Sequence, residues 1–361
     1  MTTAQDAPVL VESGRLREMA ETIVRAAGFR EPDAALVAEV LVEADLRGVD
    51  SHGVTRLAGY LGMIDAGHVN PRPEVAVVRE SGATALLDGD RGIGIIAARQ
   101  AMDRAIGLAG ESGIGCVSLR NVSHTGMLGW YTMRAARQGL IGIAMNNGPA
   151  ITPPYGGRKK VVATNPISIA APSGESTPVV LDMATTMVAA GKLRLAMKQD
   201  LPVPETWGLD RHGQATTDPG EVIEQGFFQW AGAYKGWGLA TMIEILSGVL
   251  SGGLFGSDVP TMIDYGKDPL ISNGFYVAVD VERFLPLEEF QDRVDRLVEQ
   301  ARQTPSFDPE QPVLVAGDKE IACRQRRLVE GIPLSRQVAA ELDGLADKYQ
   351  ISQALRLLSD R

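Results

Sequence analysis

The segment TALLDGDRGIGIIAARQAMDRAIGLA, Thr84–Ala109, decides how the middle of this 361-residue chain is interpreted. A β-like run, TALLD, leads through a glycine-rich turn into a helix-like stretch. The turn, GIGIIA, fits the G-x-G-x-x-A pattern that holds a dinucleotide pyrophosphate in a Rossmann fold. However, the next β-like run, CVSL, ends in Arg120 and Asn121 and lacks the acidic residue that would bind a ribose. We therefore interpret GIGIIA as a tight turn into a helix.

The zone around this segment, from about Val75 to Val281, predicts an α/β fold because β-like runs alternate with helical runs and Gly/Pro turns. Its β-like runs are TALLD, CVSL, IGIAM, SIAAP, PVVLD and YVAVD. Both ends of the chain are helical instead, and their similar character suggests that they pack together. We predict a discontinuous helical domain of residues 1–75 and 282–361, with an α/β domain of residues 76–281 inserted.

The terminal zones carry recognisable helix signals. Near the N-terminus, Pro32 and Asp33 suit a first helical turn, and Gly48 suits a C-terminal stop. Between them lies an apolar stripe of Leu36, Val37, Val40, Leu41 and Ala44. Near the C-terminus, FQDRVDRLVEQAR reads as a charged amphipathic helix.

Charge and composition exclude several functions. A net charge of −10 without a strong basic patch argues against binding to nucleic acid or an anionic membrane. No apolar run approaches the ~20 residues that span a bilayer, and the N-terminus is not a secretory signal. Cys116 and Cys323 lie far apart and suit a reduced compartment, so we expect a cytoplasmic protein. Serine-hydrolase and zinc motifs are absent, and no metal site is predicted.

The heptapeptide DSHGVTR, Asp50–Arg56, combines a histidine and an arginine in a chain with only four histidines. If the segment from Gly53 onward is helical, His52 and Arg56 share one face, because positions i and i+4 are neighbours on a helix. That face would present a proton donor beside a fixed cation.

Six ordered motifs make the sequence resemble the malate/L-lactate dehydrogenase family from about Val24 to about Leu345. The motifs are SHGVTRL, SHTG, TNPIS with a following PSG, DMATT with Gly191-Lys192 downstream, G-x-x-TTDP, and KGWGLA with a following LSGVLSG. The resemblance implies an NAD(P)-dependent oxidoreductase of a small 2-oxo or 2-hydroxy acid. It also implies a non-Rossmann cofactor domain, which we expect to contain a mixed sheet and to be the α/β domain, and a homodimer.

The reaction explains the heptapeptide. Reducing a 2-oxo acid requires a proton donor at the carbonyl oxygen and a group that holds the carboxylate. Histidine suits the first task and the planar fork of arginine the second, which favours His52 and Arg56. His124 in SHTG is the rival proton donor, because the resemblance places it in the same pocket. Ser51 is expected to orient the imidazole, touch the substrate or cap a helix.

The predicted cofactor contacts follow the later motifs. Asp182 ends the apolar run PVVL, where its carboxylate would bind the cofactor or cap a helix. Lys235 and Gly236 open a probable helix that could meet a phosphate, although a solvated lysine is the alternative. Thr164 and Asn165 are candidate amide or ribose contacts, with an Asn-Pro turn as the alternative. The set is completed by Met183 and Ala184 of DMATT and by Gly317 of VAGDKE.

Two other functions remain open. A reductase of a cyclic imine carboxylate, dependent on NADPH, would show the same family pattern. A lyase or hydrolase of a carboxylate substrate could use His52, His124 and Arg56 without a nicotinamide. The apolar residues after Lys235 are interpreted as core packing; they are Trp237, Leu239, Met242, Ile243, Leu246 and Leu250.

Overall fold

A computed structural model describes residues 7–174, 177–198, 200–260, 268–352 and 357–358. The helices are α1 Ser13–Ala26, α2 Glu31–Leu46, α3 Leu57–Asp65, α4 Gly94–Ser112, α5 Leu128–Ala136, α6 Ala190–Lys198, α7 Pro219–Glu224, α8 Tyr234–Glu244, α9 Leu287–Arg302, α10 Asp318–Glu330 and α11 Arg336–Lys348. The strands are β1 Val9–Val11, β2 Ala76–Ser81, β3 Thr84–Gly92, β4 Ile114–Val122, β5 Leu140–Asn146, β6 Ile167–Ala171, β7 Val179–Met183, β8 Gly208–Leu209, β9 Phe227–Phe228, β10 Ser272–Asp280 and β11 Ile332–Leu334.

A mixed seven-stranded sheet in the order β2-β3-β4-β10-β5-β6-β7 forms the centre of the fold. Strands β3 and β4 run parallel and are joined by α4, whereas every other neighbouring pair in this sheet is antiparallel. The six β-like runs of the sequence all fall in these strands, which confirms the predicted α/β class. The sheet is not the parallel sheet of a Rossmann fold.

The turn at GIGIIA confirms its interpretation as a tight entry into a helix. Strand β3 ends at Gly92 and α4 begins at Gly94. A Cβ atom added to Gly94 would lie 2.4 Å from the carbonyl oxygen of Ser123 and 2.8 Å from that of His124. The space that a pyrophosphate would need at this helix N-terminus is therefore filled by the protein's own backbone. Gly94 is needed because this backbone approaches so closely.

Helix α2 begins and ends where the sequence predicts, with Pro32 in its first turn and Gly48 just beyond it at φ 77°. It is buried around most of its circumference, not along one stripe, because it lies inside the main hydrophobic core. Two acidic residues, Glu43 and Asp45, are buried with it. Charges in such a place require partners, and both have them.

The two ends of the chain contact each other at several places. Strand β1 pairs with β11, α10 packs on α2, and α11 packs on α3 and α1. One hydrophobic core nevertheless extends from α1 and α2 through α4 and α5 to the central sheet. The division into two domains at residues 75 and 281 stays a prediction.

Substituting Gly92 tests the tight turn between β3 and α4. A Cβ atom at Gly92 would lie 2.5 Å from Cγ of Pro73, so we expect Gly92→Ala to lower the free energy of unfolding. Overpacking of this kind typically costs about 1–3 kcal/mol. The matched control is Gly110→Ala in α4, where nothing lies within 4 Å of the added atom. There, alanine should stabilise the helix by up to about 1 kcal/mol.

Urea denaturation of both variants and the wild type measures the two effects. Equal stabilities for Gly92→Ala and the wild type would contradict the close packing at this turn.

Candidate active site

The DSHGVTR segment forms two single 3₁₀ turns, Asp50–His52 and Val54–Arg56, which are separated by Gly53 in an extended conformation. The expectation of a helix from Gly53 onward is therefore confirmed only in part: Gly53 itself is extended, and the helical course starts with the 3₁₀ turn Val54–Arg56, which leads directly into α3 at Leu57. The physical reason lies beneath the loop. A Cβ atom at Gly53 would overlap the carboxyl group of buried Asp45, which accepts the backbone N–H of Val54 at 2.8 Å. Asp45 thus ties the backbone down where a helix would continue.

The loop brings His52 beside His124, with ring centroids 5.2 Å apart. Each ring has an Nδ1 contact of its own. Ser51 Oγ lies 2.9 Å from His52 Nδ1, and Tyr60 Oη lies 2.7 Å from His124 Nδ1. Gly126 also donates its backbone N–H to His124 Nδ1 at 3.1 Å. Ser51 caps neither 3₁₀ turn, so its contact with the imidazole is the one of its three expected tasks that the structure displays.

The backbone N–H of Gly126 determines where His124 carries its proton. An amide N–H can only donate, so His124 Nδ1 must present its lone pair and the neutral ring carries hydrogen on Nε2. The partner of His52 Nδ1 is a hydroxyl group, which can donate or accept. His52 can therefore adopt either neutral tautomer, whereas His124 is held in one.

Burial and a neighbouring cation keep both rings neutral. Desolvation, together with the charge of Arg56, lowers the pKa of His52 from its ordinary value of 6.5 to about 3. Desolvation also lowers the pKa of His124 well below its ordinary range, and Arg56 and His52 act in the same direction. Arg56 is oriented by a hydrogen bond from its Nε to the carbonyl oxygen of Ser51 at 2.5 Å. One guanidinium and two uncharged imidazoles thus share the site.

Asp182 lies in strand β7 and binds another element rather than starting a helix of its own. Its Oδ2 accepts the backbone N–H of Gly129 at 2.7 Å, in the first turn of α5. The residue is exposed, yet enough protein surrounds the carboxyl group for desolvation to raise its pKa to about 7. The alternative that Asp182 caps a helix starting at MATT is thus wrong, because residues 184–189 form no helix and the carboxylate binds the first turn of α5 instead.

One hydrogen bond and two close glycine contacts bring most of the predicted cofactor residues to β7 and the segment after it. Thr185, next to Met183 and Ala184, donates its N–H to the carbonyl oxygen of Thr164 at 3.0 Å. Gly236 packs against the same residue, because a Cβ atom there would lie 2.6 Å from the Thr185 carbonyl oxygen. Gly317, at φ 97°, packs on Val180 of β7.

Lys235 is exposed in the first turn of α8, where it flanks this group. The helix follows Ala233, a non-glycine residue at φ 58° that provides no side-chain cap. The first turn of α8 thus combines backbone N–H groups with a lysine, which is a suitable place for an anion.

Asn165 is fully buried and belongs to a polar network. Its Nδ2 donates to Glu244 Oε2 at 2.7 Å and to the carbonyl oxygen of Ala240 at 2.9 Å. Glu244 Oε1 accepts from Asn147 Nδ2 and from the backbone of Gly256. The side-chain nitrogen of Asn165 is thus engaged within the protein, and its role as a cofactor contact stays a prediction.

Several residues of the site region escaped the sequence motifs. Tyr60 lies four residues after Arg56, a spacing that would have placed it beside the loop had α3 been recognised. Glu244 interrupts an apolar helix, and a lone acid in such a run signals a buried network.

The expectation of core packing after Lys235 is wrong in part, because Leu239, Met242 and Leu250 are exposed.

Among the described residues, no cluster of His, Cys, Asp and Glu is arranged to hold a metal ion. Within the same ranges, no helix is long and apolar enough to cross a bilayer. His68 and His212 lie in turns, and Cys116 and Cys323 are free thiols. Uncharged imidazoles beside a cation that suits a carboxylate are what a dehydrogenase of small carboxylic acids requires.

Comparison with known proteins agrees with this class. The sequence profile described as malate/L-lactate dehydrogenase matches residues 11–343, and the chain belongs to this family. A malate dehydrogenase of Pyrococcus horikoshii is 38% identical over 350 residues, which cover 95% of this chain and 96% of that protein. An NAD(+)-dependent ureidoglycolate dehydrogenase of Escherichia coli O157:H7 is 35% identical, with 94% of each chain covered.

The fold also matches a solved member. The crystal structure of malate dehydrogenase from Entamoeba histolytica superposes with a TM-score of 0.91 at 28% identity, covering 96% of this chain and 99% of that one. The protein is thus a dehydrogenase, an oxidoreductase that acts on hydroxy acids.

The raised pKa of Asp182 predicts a pH dependence of stability. A carboxyl group with a higher pKa in the folded protein holds its proton more tightly when folded, so its contribution decreases as pH rises from about 4 to about 7. Asp182→Asn cannot titrate and should lose less stability across this window than the wild type. The comparison is urea denaturation at about pH 5 and about pH 8, with exposed Glu288→Gln as the control variant. Parallel pH profiles for Asp182→Asn and the wild type would contradict the assignment.

Proposed function

We propose that this dehydrogenase interconverts a small 2-oxo acid and its 2-hydroxy acid at the site formed by His52, His124 and Arg56. The observation that carries the proposal is the close pair of imidazoles, with ring centroids 5.2 Å apart, whose pKa values are lowered by burial and by the adjacent guanidinium. Such a site can bind a carboxylate and exchange a proton with the adjacent C2 oxygen. The proposed substrate is a 2-hydroxy acid of the malate, lactate, ureidoglycolate or sulfolactate type.

The residues around the end of β7 fit a nicotinamide dinucleotide. Asp182 offers an exposed carboxylate that can accept hydrogen bonds from ribose hydroxyl groups. Lys235 and the first turn of α8 offer positive charge to a pyrophosphate. When bound, NAD or NADP supplies or accepts the hydride. Thr164, Asn165, Met183, Ala184, Gly236 and Gly317 belong to the proposed contact set.

Arg56 is proposed to bind the substrate carboxylate. The hydrogen bond from its Nε to Ser51 orients the guanidinium, and a planar guanidinium can bind a carboxylate through two parallel hydrogen bonds. Because the same loop carries His52, a carboxylate at Arg56 places the C2 oxygen close to the imidazole pair. Orientation of this kind can supply several kcal/mol toward the reaction.

His52 is proposed as the acid and base, with His124 as a hydrogen-bond donor. The neutral His124 ring carries its proton on Nε2. If Nδ1 were also protonated, its N–H would face the N–H of Gly126, and two donors in this position cannot form a hydrogen bond. His52 faces a hydroxyl group at Nδ1, so either neutral tautomer and the imidazolium can be accommodated. In the oxidation direction, neutral His52 accepts the hydroxyl proton.

The substrate itself prepares the reverse reaction. Arg56 lowers the pKa of His52 in the absence of a bound anion. A substrate carboxylate cancels this charge, so the pKa of His52 should rise when the 2-oxo acid binds. The imidazolium then donates its proton to the C2 oxygen during reduction.

Assaying a panel of 2-oxo acids with NADH and NADPH tests the proposal. The panel consists of oxaloacetate, pyruvate, sulfopyruvate and oxalurate, with piperideine-carboxylate as the imine alternative. Consumption of reduced cofactor with one of the oxo acids supports the proposal and identifies the cofactor. Turnover of the imine alone would contradict it, and failure to bind either cofactor would favour a lyase or hydrolase.

Substitutions in the heptapeptide should separate binding from proton transfer. Arg56→Ala should lower kcat/KM by about 10- to 150-fold, the equivalent of a hydrogen bond to a charged group. Arg56→Lys keeps the charge without the fork and should recover only part of this loss. His52→Gln should act mainly on kcat, because proton transfer belongs to the transition state. Steady-state kinetics check these effects.

Two results would contradict the assignments. Near-wild-type kcat/KM in Arg56→Ala would exclude the carboxylate contact. A fully active His52→Gln would transfer the acid role to His124.

Cofactor affinity should depend on the end of β7 and not on the β3–α4 turn. We expect Asp182→Ala and Lys235→Ala to raise the Kd for NAD(P)H, because each removes a charged partner. Gly92→Ala should leave the Kd unchanged, since the α4 N-terminus is covered by backbone. Titration of nicotinamide fluorescence measures all three values. The opposite pattern would indicate that the glycine-rich turn binds the cofactor.

A homodimer is proposed for the functional protein. An exposed apolar surface follows α8 and the π turn Ile245–Val249, and it suits burial against a second copy of the chain. Its residues are Tyr234, Leu239, Met242, Ile245, Val249 and Leu250. Sedimentation velocity of the purified protein tests this assignment, and a monomer at micromolar concentration would contradict it. The cytoplasm is the proposed location, as expected from the sequence.

A further inference from the structure

The proposed catalytic loop is fixed at two points, one on each side of His52. On the C-terminal side, the N–H of Val54 donates to Asp45 Oδ2 at 2.8 Å. On the N-terminal side, Arg327 binds Asp50 through both terminal guanidinium nitrogens. Asp50 and Val54 each lie two residues from His52, so the imidazole is carried by the middle residue of a five-residue segment held at both ends.

Arg327 comes from α10, 277 residues beyond Asp50 in sequence. It is buried, and it also donates to the backbone carbonyl oxygen of Asp45. A single guanidinium therefore connects the end of α2 with the first 3₁₀ turn of the loop. A planar fork can make these contacts at the same time, whereas an ammonium group offers one nitrogen only.

The neighbouring packing leaves the loop little freedom. A Cβ atom at Gly53 would lie 1.8 Å from Asp45 Oδ1, and one at Gly191 would lie 2.4 Å from Cβ of Ser51. Asp45 of α2 thus packs against Gly53 of the loop, and Gly191 of α6 packs against Ser51. These contacts hold His52 in place beside His124, although the nearby cation Arg56 disfavours a positive charge on the His52 ring.

We propose that Arg327 and Asp45 are positioning residues, which set the place of His52 and Arg56 from outside the substrate site. This inference rests on the proposed function of the loop. Arg327 holds the loop through the side chain of Asp50, and Asp45 holds it through the backbone N–H of Val54, so both act on His52 through residues 50–54. A catalytic group displaced by 1 Å can lose about 100-fold in rate.

Helix α10 provides a matched control for this proposal. Arg324, one turn before Arg327, also binds α2, through Glu43 at 2.9 Å. It makes none of the described contacts with residues 50–56. Arg324→Met therefore removes an arginine contact between the same two helices without releasing the loop.

The experiment compares Arg327→Met, Arg327→Lys, Arg324→Met, Asp45→Ala and Asp45→Asn in the full-length protein. We expect Arg327→Met and Asp45→Ala to lower kcat/KM by at least about tenfold at unchanged Kd for NAD(P)H. Arg327→Lys should recover part of the loss, and Asp45→Asn should recover more because it retains an acceptor for Val54. Arg324→Met should lower the Tm comparably to Arg327→Met, yet keep kcat/KM within about twofold of the wild type.

Hydrogen exchange of the peptide that covers residues 50–56 gives a readout without turnover. Exchange there should be faster in Arg327→Met and Asp45→Ala than in Arg324→Met or the wild type. If the wild type turns over no 2-oxo acid, the proposed function fails. The exchange pattern still tests whether Arg327 and Asp45 anchor residues 50–54. If Arg327→Met does not fold, Arg327→Lys and Asp45→Asn provide the same comparison. The proposal would be overturned if Arg324→Met and Arg327→Met lowered kcat/KM equally. It would also be overturned if hydrogen exchange of residues 50–56 were unchanged in Arg327→Met and Asp45→Ala.

Discussion

Burial of His52 and His124 beside the charge of Arg56 is the constraint that governs this site. Desolvation and, to a smaller extent, the neighbouring guanidinium disfavour a positive charge on two imidazoles whose centroids lie 5.2 Å apart, so both pKa values lie below their ordinary range. The site therefore combines two neutral imidazoles with one guanidinium cation. It is suited to an anionic substrate, because an anion offsets the positive charge of Arg56.

Bringing these groups together requires support from distant parts of the chain. The loop that carries His52 is held by α2, which lies in the core, and by α10 near the C-terminus. The ring of His124 is held by Tyr60 of α3 and by the backbone of Gly126. The central sheet contributes by placing β4 before His124 and β7 with Asp182 beside α5. The groups proposed for the substrate and for the cofactor thus come from elements that the fold brings to neighbouring positions.

The sequence predicts six of the seven strands of the central sheet, because apolar runs between turn residues depend on local pattern alone, whereas the exposed edge strand β2 is not among the predicted runs. It also predicts α2, whose proline and glycine mark its two ends. It does not predict that Gly53 interrupts the helical course of the DSHGVTR loop, since the cause is the buried carboxylate of Asp45 below it. Contacts such as Arg327 with Asp50 join residues 277 positions apart and leave no local signal. The exposed apolar side of α8 shows the same limit, because periodicity reveals an apolar stripe but not what covers it.

An NMR titration of the histidine C–H resonances tests the central claim, that burial and the charge of Arg56 together hold His52 neutral until a carboxylate binds. With four histidines in the chain, the His52 signal can be assigned by comparison with His52→Gln. The account predicts that His52 in the free enzyme stays neutral well below its ordinary pKa of 6.5, and that its pKa rises when oxamate and reduced cofactor are added. A His52 ring that titrates near 6.5 in the free enzyme, with no response to oxamate, would contradict it.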